Sequence, residues 1–189
     1  LHLCNKNIQQ IKTENITTHN LLVDVCQAAK FEGESLTRYR GKYQAKYGDS
    51  PSQICTVLAR SFADIGDIVR GRDLYFGNSK EKNRRENLEN NLKEIFKNIY
   101  DDLTKDNDNA ALKTRYQHDA PDYYQLREDW WEENRQQVWK ALTCDAGGGT
   151  YFRKACSNDT SDTNVKCRCD GSNADQVPTY FDYVPQFLR

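Results

Sequence analysis

The chain has 189 residues, 37% hydrophobic and 29% charged, with 27 basic and 28 acidic side chains and a formal charge of −1. That length supports one domain with a real core, and the balanced charge excludes the strongly basic footprint of a dedicated nucleic-acid binder. No run of about 18 apolar residues occurs, so no segment reads as membrane-spanning.

In chain order, the first helix is expected from about Thr18 to Tyr47. "TTHN" offers caps, and Leu21, Leu22, Val25, Cys26, Ala29 and Leu36 recur at helical spacing. Gly33 and Gly41 each cost about 1 kcal/mol relative to Ala, so a kink is expected near one of them. Gly48 can end the helix in a left-handed conformation. "DSPSQ" restarts the chain, with Ser50 as cap, Pro51 at the first helical position and Gln53 completing a capping box. The second helix runs to about Val69, with Ile54, Val57, Leu58, Phe62, Ile65, Ile68 and Val69 on one side. Leu88, Leu92, Ile95, Phe96, Ile99 and Leu103 mark a third helix, and "TKDNDN" is a polar break. A fourth follows "DAPDYYQ", with Asp122 as cap, and is filled by Leu126, Trp130, Trp131, Val138, Trp139 and Leu142. Residues 145–176 are rich in Gly, Ser, Asn, Asp and Thr and read as disulfide-held loops. "PTYFDYVPQFLR" reads as an extended stretch followed by a helix start. These elements describe an all-α, disulfide-linked helix bundle with a loop-rich C-terminal segment. With no Met and an opening "LHLC", the chain reads as a piece of a larger protein.

The seven cysteines, Cys4, Cys26, Cys55, Cys144, Cys156, Cys167 and Cys169, are scattered rather than arranged as paired CxxC knuckles. That pattern points to a disulfide framework in an oxidising, extracellular setting and not to structural zinc. The count is odd, and Cys4 is the expected partner for a cysteine outside the chain. "CRC" at 167–169 reads as disulfide partners, and "GGG" at 147–149 lacks the Lys-Ser/Thr of a phosphate loop.

Catalysis finds little support. On the helical wheel Asp64 borders the apolar stripe, while Asp67 lies on the far side with Arg60 and Arg70. They form either an acid pair or a polar network in which Asp64 bonds at a helix seam and Asp67 pairs with Arg60 or Arg70. The network reading is preferred, since buried carboxylates persist by being bonded. His2, His19 and His118 show no ligand spacing. No catalytic residue, metal site or cofactor is expected.

A binding surface has more support. In "TRYRGKYQAKY", Arg38, Lys42 and Lys46 form one helical stripe and Tyr39, Tyr43 and Tyr47 the next, with Arg40 adding charge. Cations beside aromatic faces suit sulfated or sialylated glycans; the plainer reading is a solvated basic face with its tyrosines packed inward. Lys80, Lys82, Arg84 and Arg85 form a second cluster, interrupted by Glu81 and Glu86. Sequons at Asn15 and Asn158 are permissive signals only.

"CTVLARSFADIGDIVRGRDLY", "LENNLKEIFKNIYDDL", "YYQLREDWWEENRQQVWKALTC" and "PTYFDYVPQFLR" resemble, in order, blocks of an alpha-class Duffy-binding-like domain of the malaria-parasite (Plasmodium falciparum) erythrocyte membrane protein 1 family. The resemblance implies a division into 1–15, the end of subdomain 1; 16–178, helical subdomain 2; and 179–189, the start of a truncated subdomain 3. It implies a variant adhesin on the outer face of the infected red-cell membrane, anchored only through distant parts of the full-length protein. Rosetting or cytoadherence is the implied activity. The implied partners are host erythrocyte glycans or glycoproteins: heparan-sulfate-like polyanions, blood-group sugars or complement receptor 1. Host antibodies are implied too, and nucleic acid is not. The contacts expected from the two basic clusters are Arg38, Tyr39, Arg40, Lys42, Lys46, Lys80, Lys82, Arg84 and Arg85. In that setting the sequons stay unused. The implied disulfides are Cys55–Cys156 and Cys26–Cys144, leaving Cys167 or Cys169 for local or external pairing. The alternative is a structural or antigenic segment whose receptor contacts lie in the missing subdomains.

Overall fold

The structure is a computed structural model that describes residues 17–47, 53–74, 78–105 and 110–189, with the side chains of 41–47 and of Asn173 outside that description. Cys4, the Asn15 sequon and the expected capping residues Gly48, Ser50 and Pro51 also lie outside it. The described residues form five α-helices with no named strand: α1 (Thr18–Tyr47), α2 (Gln53–Arg70), α3 (Ser79–Leu103), α4 (Ala110–Arg115) and α5 (Tyr124–Leu142). The all-α, disulfide-linked expectation holds. α5 is the hub, packing on α1, α2 and α3.

α1 continues as one helix through Gly33 and Gly41. Its inward face buries Leu21, Val25, Ala28 and Ala29. Gly33 has a packing role instead: a Cβ there would stand 1.9 Å from the Leu142 carbonyl oxygen at the end of α5. Alanine gains about 1 kcal/mol in helix propensity but forces the two helices apart. Gly33→Ala is therefore expected to destabilise by a net of about 1–3 kcal/mol in urea unfolding. A stabilised variant would show that the contact yields freely.

α2 is buried nearly all round, through Ile54, Leu58, Phe62, Ile65 and Val69. Val57, expected on the apolar stripe, is 39% exposed. Gly66 lets Trp131 of α5 approach closely, since a Cβ would lie 2.8 Å from its ring. Phe62 packs between Trp131 and Trp139, at centroid distances of 5.1 and 5.2 Å. α3 begins at the cap Asn78, whose side chain accepts from the Glu81 amide, and buries Leu88, Leu92, Ile95, Phe96 and Ile99.

The start of α5 differs from expectation. Asp119, not Asp122, accepts from the first-turn amides of Gln125 and Leu126, both at 2.8 Å. The reach back is made by Tyr123 in the left-handed region, φ 56°. Asp122 instead pairs with Lys93 of α3 at 2.6 Å. α4 follows directly on the "TKDNDN" break, was not expected from the sequence, and is a short helix with no buried residue.

Residues after α5 are loop-rich, as expected, and hold the cross-links. The bonds are Cys55–Cys167 and Cys156–Cys169, not Cys55–Cys156. Cys55 is buried in the first turn of α2, and Trp139 donates to the Cys167 carbonyl at 3.1 Å, seating Cys167 in the same core. Cys156 opens a tight loop closed by backbone bonds to Ser161, and pairs with Cys169 only 13 residues on. Cys26 and Cys144 are free thiols rather than a pair: Cys26 is half-buried on α1 and Cys144 is exposed beyond α5. Burial pushes the Cys26 thiol up to about 11.

The last residues form two single 3-10 turns, Phe181–Tyr183 and Gln186–Leu188. The first of these packs on α2 and covers part of the side away from the apolar stripe. Asp67 and Arg70 are consequently buried, while Arg60 stays exposed.

Candidate receptor-binding surface

Two groups of charged residues differ in kind, one inside and one outside. The inner group starts from the "ADIGDIVRGRD" stretch. Arg70, with no exposed surface, donates to the Gly66 carbonyl at 3.0 Å and to Asp67 at 3.1 Å, and also to the Asp182 carbonyl. Asp182 is 1% exposed and takes both oxygens to Arg135, at 2.8 Å each, and a bond from Trp131 Nε1 at 2.9 Å. Arg189 donates to Asp64 at 3.1 Å and to Asp67. Burial pushes the Asp64 and Asp67 carboxyls above the usual range, opposed by Arg189. Arg127, also fully buried, grips the α2 carbonyls of Ile68 and Val69 and the Glu89 carboxylate of α3. Every one of these acids is spent on a structural partner. Among the described residues, neither Asp64 nor Asp67 is paired with a His or thiol. Asp67 pairs with Arg70 and Arg189, not Arg60.

The outer group begins with Arg38 and Tyr39 in the C-terminal half of α1. The buried face of that helix ends at Gly33; Arg38 and Tyr39 are exposed, and Arg40 is half-buried. Tyr39 is 71% exposed, so it does not pack inward as the plainer reading of the stretch required. From Ser35 to Tyr47 the helix carries Arg38, Arg40, Lys42 and Lys46 and no acidic residue. The helix holds Lys42 and Lys46 one and two turns beyond Arg38, though their side chains lie outside the described residues.

The second expected cluster does not form a free basic patch. Lys82 pairs with Glu86 at 3.9 Å and Arg84 with Glu81 at 3.2 Å. Arg85 is half-buried and ties α3 to Asp73 at 2.7 Å. Lys80 is exposed. The local acids, visible in the sequence as Glu81 and Glu86, neutralise this face. Sequence reasoning missed Arg127, Arg135 and Asp182. Arg127 reaches Glu89 and Ile68, 38 and 59 residues away, Arg135 and Asp182 are 47 apart, and Asp182 and Arg70 are 112 apart; no local periodicity points to such pairs.

The described residues form an all-helical, disulfide-tied scaffold with a buried ionic core and a charged exterior. The sequence matches the Duffy binding domain family over residues 1–189, and the chain belongs to that family. It is similar to the NTS-DBL1(alpha-1) domain of Plasmodium falciparum membrane protein 1 (PfEMP1) from the varO strain, at 40% identity and a TM-score of 0.75. It is also similar to the varO NTS-DBL1-alpha and CIDR-gamma double domain, at 41% identity and a TM-score of 0.76. The IT4var13 DBLbeta domain solved bound to ICAM-1 is 31% identical, with a TM-score of 0.68. In each case 99% of this chain is covered, but only 40%, 25% and 40% of those chains respectively. No curated protein matches. Among the described residues, no helix is long and apolar enough to cross a membrane.

Proposed function

We propose that this chain is part of a variant adhesin displayed on the outer face of infected red cells, where it binds host erythrocyte glycans or glycoproteins in rosetting or cytoadherence. The DBLbeta relative solved with ICAM-1 supports receptor binding as the activity. The observation that carries the choice of surface is the acid-free α1 stretch with Tyr39 standing 71% exposed beside Arg38. Heparan-sulfate-like polyanions fit it: sulfates meet the cations, and the ring covers a sugar face. The neutralised α3 cluster contributes less. The boundaries proposed with this reading are 1–15 for the end of subdomain 1, 16–178 for subdomain 2 and 179–189 for the start of subdomain 3.

Retention on immobilised heparin tests this reading across a salt series. Wild-type retention should fall steeply as salt screens the exposed charges. Arg38→Glu with Lys42→Glu and Lys46→Glu should weaken binding at least about tenfold, since each exposed ion pair contributes about 0.2–1 kcal/mol and reversal adds repulsion. Unchanged retention would sink this choice of surface. The alternative, a structural or antigenic segment, draws on the fraction of the relatives that this chain spans.

A further inference from the structure

Tyr151 is buried in the loops after α5, and its ring lies 4.7 Å from that of Phe152. Its amide donates to Thr163 Oγ1 at 2.8 Å, and its hydroxyl donates to Thr179 Oγ1 at 3.0 Å. These bonds bring three segments of the chain together. Each segment carries a large apolar side chain that stands in solvent: Phe152 is 52% exposed, Val165 60% and Tyr180 58%. The backbone beneath them is tied down. Gly149 bridges Lys166, Cys167 is bonded to Cys55 of α2, and Cys169 is bonded to Cys156. The patch is therefore built before any partner arrives.

Residues 149–154 and 163–168 hold four basic residues and no acidic one. Arg168 is committed to the fold, donating to Thr143 Oγ1 at 2.7 Å and to the Lys140 carbonyl. Arg153, Lys154 and Lys166 are exposed, and among the described residues none of them forms an ion pair. Arg153 lies over the Phe152 ring, 6.0 Å from its centroid. Asp162 and Asp170 border the second segment, and Asp170 accepts from the Asn164 amide at 2.7 Å.

Exposed apolar groups gathered in one place mark a surface that something covers. Long cationic side chains that nothing holds suit a spread of negative charge better than one shaped anion. An anionic bilayer meets both needs. Its headgroup layer takes aromatic rings and apolar side chains, and its lipid charges meet the ammonium and guanidinium groups.

We infer that this patch docks reversibly onto an anionic phospholipid surface. Phe152, Val165 and Tyr180 enter the headgroup layer, and Arg153, Lys154 and Lys166 meet the lipid charges. The inference does not rest on the polyanion reading, since different residues carry it.

Co-sedimentation of the oxidised chain with vesicles tests it. One set is phosphatidylcholine alone, and the other contains about 30% phosphatidylserine, both at roughly 100 mM NaCl. The serine-containing vesicles should bind at least about tenfold better, since each cation near an anionic surface contributes roughly fivefold. Arg153→Glu with Lys154→Glu and Lys166→Glu should abolish that preference. Phe152→Ser should weaken binding to the anionic vesicles about fivefold or more, while Phe152→Leu keeps most of it. These positions are all exposed, so urea midpoints should match wild type. Arg38→Glu with Lys42→Glu and Lys46→Glu should leave the vesicle preference in place. Absence of a preference for the anionic vesicles overturns the inference. So does a preference that survives reversal of Arg153, Lys154 and Lys166, one abolished by the α1 reversal, or full binding by Phe152→Ser. Loss of red-cell capture by the patch reversal, without vesicle binding by wild type, would mark a protein partner and overturn it too.

Discussion

Asp182→Ala is expected to destabilise the chain by about 3–5 kcal/mol, read as a lowered urea midpoint at unchanged slope. Asp182 is 1% exposed and accepts two bonds from Arg135 and one from Trp131. Removing it strands the guanidinium of Arg135, itself buried beside Phe62, Tyr180 and Tyr183. It also frees the indole N–H of Trp131, which has no exposed surface. The cost comes from a charge left without a partner, not from the value of the pair as such. Replacing both members, Arg135→Met with Asp182→Ala, should therefore restore much of the loss, because apolar side chains of similar volume need no partner. A loss below about 1 kcal/mol for Asp182→Ala alone would mean that water reaches the site and solvates Arg135.

The second large effect is expected from the longer cross-link. Cys55–Cys167 joins residues 112 apart in sequence, and a loop of about 100 residues is worth about 4.7 kcal/mol in the chain-entropy picture. Cys156–Cys169 closes 13 residues, near the about 3 kcal/mol expected for a loop of about 15. Cys55→Ala with Cys167→Ala should thus cost more than Cys156→Ala with Cys169→Ala. Alanine is the right replacement, since both Cys55 and Cys167 are fully buried and serine would bury an extra hydroxyl. The reverse ranking would mean that the small loop, with Ser157, Asn158 and Asp159 all at positive φ, depends on its bond for more than chain entropy.

Local periodicity made the long helices legible, because each of them carries its own apolar face. α1 was expected over the span it occupies, and α2 to within a residue of its end. Interactions between distant segments were not legible. Asp67 and Arg70 lie away from the apolar stripe on an isolated helix, yet are interior in the fold, where residues 181–183, Arg189 and Trp131 of α5 surround them. Asp122 sits at a plausible capping position, yet the left-handed Tyr123 hands that task to Asp119. Gly33 signals flexibility in a sequence and a close helix crossing in the fold. Cysteine partners follow the same rule: among the described residues four cysteines are bonded, but in pairs that spacing does not specify. At the candidate surface, the basic stretch of α1 was visible as composition, whereas the exposure of Tyr39 and the loss of Arg85 to Asp73 were not. The patch around Tyr151 left no sequence signal, as it is drawn from three separate segments.

These features fit a division of labour. The buried ions and disulfides hold the helices in one arrangement, while Arg38 and Tyr39 of α1 stand exposed outside that network. Charge reversal there should change binding without changing stability, while substitutions in the ionic core should do the opposite. Beads coated with the chain and mixed with uninfected red cells measure this most directly. Wild-type beads should gather red cells. Beads carrying Arg38→Glu, Lys42→Glu and Lys46→Glu should gather few, at an unfolding midpoint equal to wild type. Equal capture by both kinds of bead, or none by either, would contradict the account.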